Sequence, residues 1–208
     1  MKEDILEQLV DDYLQFKGYF TKHNIKFRPD ASHKHFVSKQ DSNHSDIDVI
    51  GINPRLHGIH RVCAVSCKSW QAGFDVRAKL DEITENKIRS GRESWRFFRE
   101  LVQPKWSAAF IDAVERETGK REFLYVTAVT RIKGDASLWE NHPPFVKAME
   151  GNPVKLLSLV EMLEEFSEGM GTTVMSSQFG RTIQLIRASG ASMEWGKAVP
   201  LKGRHVPA

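Results

Sequence analysis

A chain of 208 residues that is 40% hydrophobic can fill one sizeable core, or one core plus a helical insertion, but hardly two full domains. Its 30 Lys and Arg stand against 27 Asp and Glu, a formal net charge of +3, so affinity for a polyanion has to come from local clustering. No run approaches the roughly eighteen uncharged apolar residues of a membrane span, the N-terminus MKEDILEQLVDDYLQF is acidic and amphipathic, and Cys63 and Cys67 lie in an apolar run; the expectation is a soluble cytoplasmic protein without a disulfide framework.

Ile5, Leu6, Leu9, Val10, Tyr13 and Phe16 recur at helical spacing, and Gly18 stands where such a helix needs a left-handed cap. Three strands are expected next, over roughly 33–38 (HKHFVS), 45–52 (SDIDVIGI) and 59–68 (IHRVCAVSCK), separated by turns at Asp41–Asn43 and Asn53–Gly58. Connections this short favour an antiparallel meander, because parallel neighbours need a crossover of about a dozen residues. From 75 to 118 the pattern is helical and charged, with Trp95, Phe97, Phe98, Leu101 and Trp106 as buried anchors of an inserted block. A strand at 122–130, a helix near 137–150, a short strand at 153–157 and a helix in LVEMLEEF follow; Ser158 and Glu161 are spaced as a capping box. One last helix near 178–188 precedes a basic tail.

The chemistry-bearing pair is Asp48 in SDIDVIG and Lys68 in VSCKSW. Side chains alternate along a strand, so Asp46, Asp48 and Ile50 share one face, and Ser66 and Lys68 share one face of the next strand. A carboxylate and an ammonium brought together at a sheet edge suit phosphodiester hydrolysis, which needs a held divalent cation, an activated water and positive charge against the transition state. An ordinary strand-end ion pair is the alternative reading of the same two residues.

The run from Glu7 through Gly18–Tyr19, then Asp48 in an acidic-apolar-Asp-apolar-apolar-Gly strand, then Lys68 in CKSW, resembles the PD-(D/E)XK nuclease superfamily, nearest its Mrr-like and Holliday-junction-resolvase-like branches. That resemblance implies an α/β fold: a restriction-endonuclease-like αβββαβ core with a central mixed sheet flanked by helices, plus a helical insertion at about 75–118. It implies residues 1–170 as the nuclease domain and 171–208 as a C-terminal helix and basic tail. It implies a DNA endonuclease using Mg2+ (or Mn2+), with Asp48 and Glu7 on the metal, Lys68 assisting the attacking water and Ser66 lining the site. Ser66 departs from the family, which carries Glu, Asp or Gln two residues before the lysine; a hydroxyl is neutral and supplies no charge to a cation. Asp46, Glu82 or Glu85 are candidate replacements. A module that binds nucleic acid without cutting it, or a protein-assembly factor on the same fold, are the alternatives.

Between 86 and 106, NKIRSGRESWRFFRELVQPKW sets six Lys and Arg against two Glu among aromatic residues. This composition suits phosphate binding, and Arg89, Arg92, Arg96, Arg99 and Lys105 are the candidate contacts to DNA. The aromatic residues read equally well as the insertion's own core. His33, His35 and His44 carry no supporting metal motif, Cys63 and Cys67 read as core, and no phosphate-cradling glycine loop points to a nucleotide cofactor. Homodimer formation is left open.

Overall fold

The computed structural model describes residues 4–169 and 177–190. Helix α1 (Ile5–Phe16) opens on Asp4, whose carboxylate accepts the Leu6 N–H at 2.9 Å, and buries Leu6, Leu9, Val10, Tyr13 and Leu14 along one stripe. It stops as its sequence requires. Gly18 takes φ 87°, its N–H reaches Gln15 O, and the Tyr19 N–H reaches Leu14 O, so two otherwise orphaned carbonyls are satisfied.

Strand β1 (Phe20–Phe27) follows at once, and this corrects the expected strand at 33–38. FTKHNIKF buries only Ile25 and Phe27, so its alternation is too weak to read as a strand. In 28–37 the backbone instead spends its hydrogen bonds locally: Asp30 accepts from the Ser32 N–H and hydroxyl at 2.7 Å, and Phe36 N–H bonds His33 O. One helical turn, α2 (Ser38–Asp41), closes this loop. Asp41 is fully buried and accepts from Lys105 Nζ at 2.6 Å, Trp106 Nε1 at 3.0 Å and the Val37 N–H at 2.7 Å.

The meander continues with β2 (Ser45–Ile52) and, after a 3-10 turn at Gly58–His60, β3 (Val62–Lys68). The block between β3 and the next sheet strand is not purely helical. It holds β4 (Phe74–Asp75), α3 (Val76–Thr84), a hairpin of β5 (Ile88–Arg89) and β6 (Arg92–Glu93), α4 (Arg99–Val102) and α5 (Pro104–Thr118). The hairpin turns through Ser90 and Gly91, both at positive φ, the geometry that tight two-residue connections demand. Then come β7 (Leu124–Val129), β8 (Ile132–Lys133), α6 (Ser137–Glu140), α7 (Pro143–Ala148), β9 (Val154–Ser158), α8 (Leu159–Gly169) and α9 (Gln178–Ala188). The expected helix at 137–150 is thus two short ones, divided ahead of Pro143. At α8 the capping box forms, with the Ser158 N–H on Glu161 Oε2 at 2.7 Å.

The main sheet runs β1-β2-β3-β7-β9; the first three strands are antiparallel, and β7 and β9 run parallel to β3. Each face carries a core. On one side Ile50, Ala64, Tyr125 and Leu156 pack beneath Phe74, Phe98, Trp106, Phe110 and Trp139 from the inserted block and α6. On the other, Val49, Cys63, Val65 and Val126 meet Leu6, Val10, Met162, Phe166 and Ile183 of α1, α8 and α9. The fold is a mixed α/β sandwich with helices on both faces of a mixed sheet. No helix among the described residues is long and apolar enough to cross a membrane.

Candidate functional site

Strand β2 changes face at Asp48. Ile47 packs into the core beneath the inserted helices, while Val49, two residues on, packs into the core beneath α1, and simple alternation would have kept them together. Opposite it in register, Asn24 of β1 sits at φ 52° and leaves the β1–β2 ladder. The β2–β3 ladder runs from Val49–Val65 to Ile52–Val62 and stops short of Asp48. The strands part here, and the Asp48 carboxylate takes up the Cys67 N–H that the ladder would otherwise have used.

Beyond this point β3 is held by β7 alone, with Ser66 beside Thr127 and Lys68 beside Val129. Ser66 and Lys68 project to the face of the inserted helices. The Lys68 ammonium donates to Ser66 Oγ at 2.7 Å and to Cys67 O at 3.2 Å, and lies 5.9 Å from the centre of the Phe98 ring. It feels the Asp48 charge without a direct ion pair among the described residues. Burial pushes the Asp48 carboxyl above the ordinary aspartate value, and Lys68 and the Cys67 N–H only partly counter it. Glu7, half-buried on α1, is raised by burial and then by the Asp48 and Asp4 carboxylates, against His23 and Lys68. The structure therefore brings Glu7, Asp48, Ser66 and Lys68 within electrostatic reach of one another at one end of the sheet. Cys63 and Cys67 face the α1 side, where burial pushes the Cys63 thiol up to about 12.

Those residues do not make a metal centre. Among the described residues, no three His, Cys, Asp or Glu side chains converge so that they could hold a metal ion. The reason lies in the donors themselves. Ser66 is neutral and its lone pair serves Lys68, while one Asp48 oxygen is taken by a backbone N–H. The candidate replacements are spent elsewhere: Glu82 on Lys79 and Arg89, Glu85 on Lys87, and Asp46 on Lys26. His33 Nδ1 accepts the His35 N–H. The expectation of an endonuclease dependent on Mg2+ or Mn2+ is accordingly corrected, and with it the metal roles given to Asp48 and Glu7.

No known protein family, curated protein or solved structure matches the chain.

Next to Lys68, where Ser69 and Trp70 leave the sheet, an open groove of about 730 Å³ runs between Trp70, Gly73, Lys79, Glu82, Arg89 and Arg92. Glu82 is its one carboxylate; it is buried and takes Lys79 Nζ and Arg89 Nη2 at 2.8 Å each. Arg92, on the hairpin, is exposed and has no carboxylate partner among the described residues. The Trp70 indole is half-buried and engaged by its neighbours, near-parallel to Phe74 at 5.9 Å and with Lys79 Nζ 4.5 Å from its centre. The groove thus offers cations rather than a stacking platform. Of the other candidates, Arg96 pairs with Glu93 at 3.0 Å and Arg99 lies 4.8 Å over the Trp106 ring. Lys105 is buried against Asp41, a structural position rather than a surface one.

Sequence reasoning missed Glu100, Tyr125 and Lys79. Glu100 is a buried carboxylate that accepts the Tyr125 hydroxyl proton at 2.6 Å. Its signal was available, since a glutamate inside FFREL and a tyrosine inside FLYVTAV are polar groups that the helix and strand patterns bury.

Proposed function

We propose that this chain is a nucleic-acid-binding module with a restriction-endonuclease-like arrangement, one that grips the phosphate backbone of DNA without metal-dependent cleavage. The element order supports the arrangement: helix, three antiparallel strands, an inserted block, then a strand parallel to the third. The observation that carries the function is the groove beside Lys68, where Lys79, Arg89 and Arg92 face a single carboxylate, Glu82. Cations held in a groove without an open aromatic face recognise phosphates, which position the duplex and carry no sequence information.

Fluorescence anisotropy on duplex and single-stranded DNA tests this. The groove leaves about two uncompensated positive charges, because Lys68 beside it is offset by Asp48, so log affinity should fall against log salt with a slope of roughly −1.8. Between about 50 and 200 mM salt that is a loss of roughly 12-fold. Arg92→Glu should weaken binding and flatten the slope. Binding indifferent to salt, or to Arg92→Glu, overturns the reading and favours a protein-assembly role instead.

A further inference from the structure

The segment 28–44 joins β1 to β2 without a strand of its own, and buried charge fastens it to the inserted block. Asp41 is fully buried and accepts from the Val37 N–H at 2.7 Å, Trp106 Nε1 at 3.0 Å and Lys105 Nζ at 2.6 Å. The same ammonium donates to His35 O at 3.0 Å. A buried ion pair is costly to desolvate, and two apolar side chains would hold α5 against the loop at least as well. Apolar side chains could not, however, bond the backbone at residues 35 and 37 and so fix an irregular loop in one conformation. The loop thus fixed carries Arg28, Lys34 and Lys39, all exposed, against Asp30 and Asp41. Lys105 neutralises Asp41, and Arg28 lies within electrostatic reach of Asp30. Lys34 and Lys39 have no carboxylate partner among the described residues and give the loop its positive excess.

Loop and groove lie at the same end of the sheet. Phe27 pairs with Ser45 and Val49 with Val65, which puts the β1–β2 connection beside the carboxyl end of β3, where the groove opens. Carboxyl ends of parallel strands are where α/β sheets take up ligands. A continuous run of contacts joins the two. Arg96 pairs at 3.0 Å with Glu93, the neighbour of Arg92, and Arg99 Nε donates to Arg96 O at 3.2 Å. The Arg99 guanidinium lies 4.8 Å over the Trp106 ring, and Trp106 bonds Asp41. We infer that the 28–44 loop, through Lys34 and Lys39, is a second phosphate-gripping arm. One DNA backbone then runs from Arg89 and Arg92 in the groove, past Arg99, to the β1–β2 connection. Lysine ammonium groups meet phosphates as point charges, and a loop already held in place gives up little conformational freedom on binding. The phosphate as ligand rests on the function proposed above.

Salt titrations of duplex affinity separate the arm from the groove. The groove alone accounts for a slope of about −1.8; with Lys34 and Lys39 engaged, wild type should reach about −3.6. Lys34→Ala and Lys39→Ala should each flatten the slope by about 0.9, the value of one phosphate contact, and the double variant by about 1.8. Lys120→Ala is the control. It removes an exposed lysine ahead of β7, at the opposite end of the sheet, and should leave the slope unchanged. Circular dichroism and cooperative melting establish that each variant folds. A wild-type slope near −1.8 that the loop variants do not alter overturns the arm and leaves the groove standing. A Lys120→Ala effect equal to theirs also overturns it, because the slope then answers to net charge rather than to place. Wild type that binds no DNA at low salt removes the function proposed above, and the arm with it.

Discussion

Asp41→Asn removes one charge from a pair that is almost wholly buried: Asp41 is fully buried and the Lys105 side chain is 9% exposed, with 2.6 Å between the charged groups. Val37 N–H and Lys105 share Oδ2 while Trp106 Nε1 holds Oδ1, so the single Asn oxygen keeps only one side of this set and the change loses a hydrogen bond along with the charge. Breaking a buried pair in this way costs about 3–5 kcal/mol, a large part of the roughly 5–15 kcal/mol that stabilises a typical domain. For a chain of this length the melting temperature should fall by about 6–20 °C. Asp41→Asn combined with Lys105→Met removes the stranded charge and should recover most of the loss, measured by urea unfolding of all four members of the cycle. The pH dependence carries a definite sign. Burial works to raise the Asp41 carboxyl, but the hydrogen bonds from Lys105, Val37 N–H and Trp106 outweigh it and hold it below the usual value. Its stabilisation is therefore complete above the unfolded value of about 3.9 and is lost as pH falls through the lower folded value. The difference between wild type and Asp41→Asn should be flat near neutrality and shrink below about pH 4. A single-variant cost under about 1 kcal/mol, or a double variant no better than the single, refutes the account of this pair.

Asp48 carries the opposite sign: burial raises its carboxyl above the ordinary value, so its charged form destabilises the fold at neutral pH. Asp48→Asn should raise the melting temperature at pH 7, with the gain vanishing toward acid pH where the native carboxyl is already protonated. Gly73 and Gly119 both occupy positive φ, but only at Gly73 would a Cβ meet a backbone oxygen, Arg131 O at 3.2 Å. Denaturant melts should show Gly119→Ala costing about 1 kcal/mol and Gly73→Ala more.

The central elements were legible because their residues repeat the period of the element they form. Helix α1, β2, β3, β7, β9 and the α8 cap all follow from spacing and cap chemistry. Strand β1 was not, since an edge strand with one wet face and a left-handed Asn24 carries little hydrophobic alternation. HKHFVS, with Phe36 and Val37 adjacent, reads as a strand in its place, and its turns owe their stability to Asp30 and His33, contacts that composition does not announce. At the site, Asp48, Ser66, Lys68 and Glu7 were brought together from strand parity and a family resemblance. The metal reading failed on a property that motif spacing cannot express, namely which lone pairs are already spoken for by Cys67, Lys68, Lys79 and Arg89. Lys105 illustrates the same gap: its position in a basic run suggested solvent, while its partner Asp41 lies 64 residues away in sequence.

Both margins of the five-stranded sheet are closed to extension by means that sequence periodicity does not show. At one rim, Asn24 turns the backbone out of line between Lys22 and Lys26, which breaks the row of donors and acceptors a further strand would have to match. At the other, the outward Leu156 N–H is taken by Glu140 Oε1 at 3.0 Å, so a side chain from α6 stands where a sixth strand would bond. A sheet stopped in this way resists runaway stacking between molecules during synthesis and at high concentration. A further strand would have to displace the Glu140 contact at one rim or straighten the backbone at Asn24 at the other.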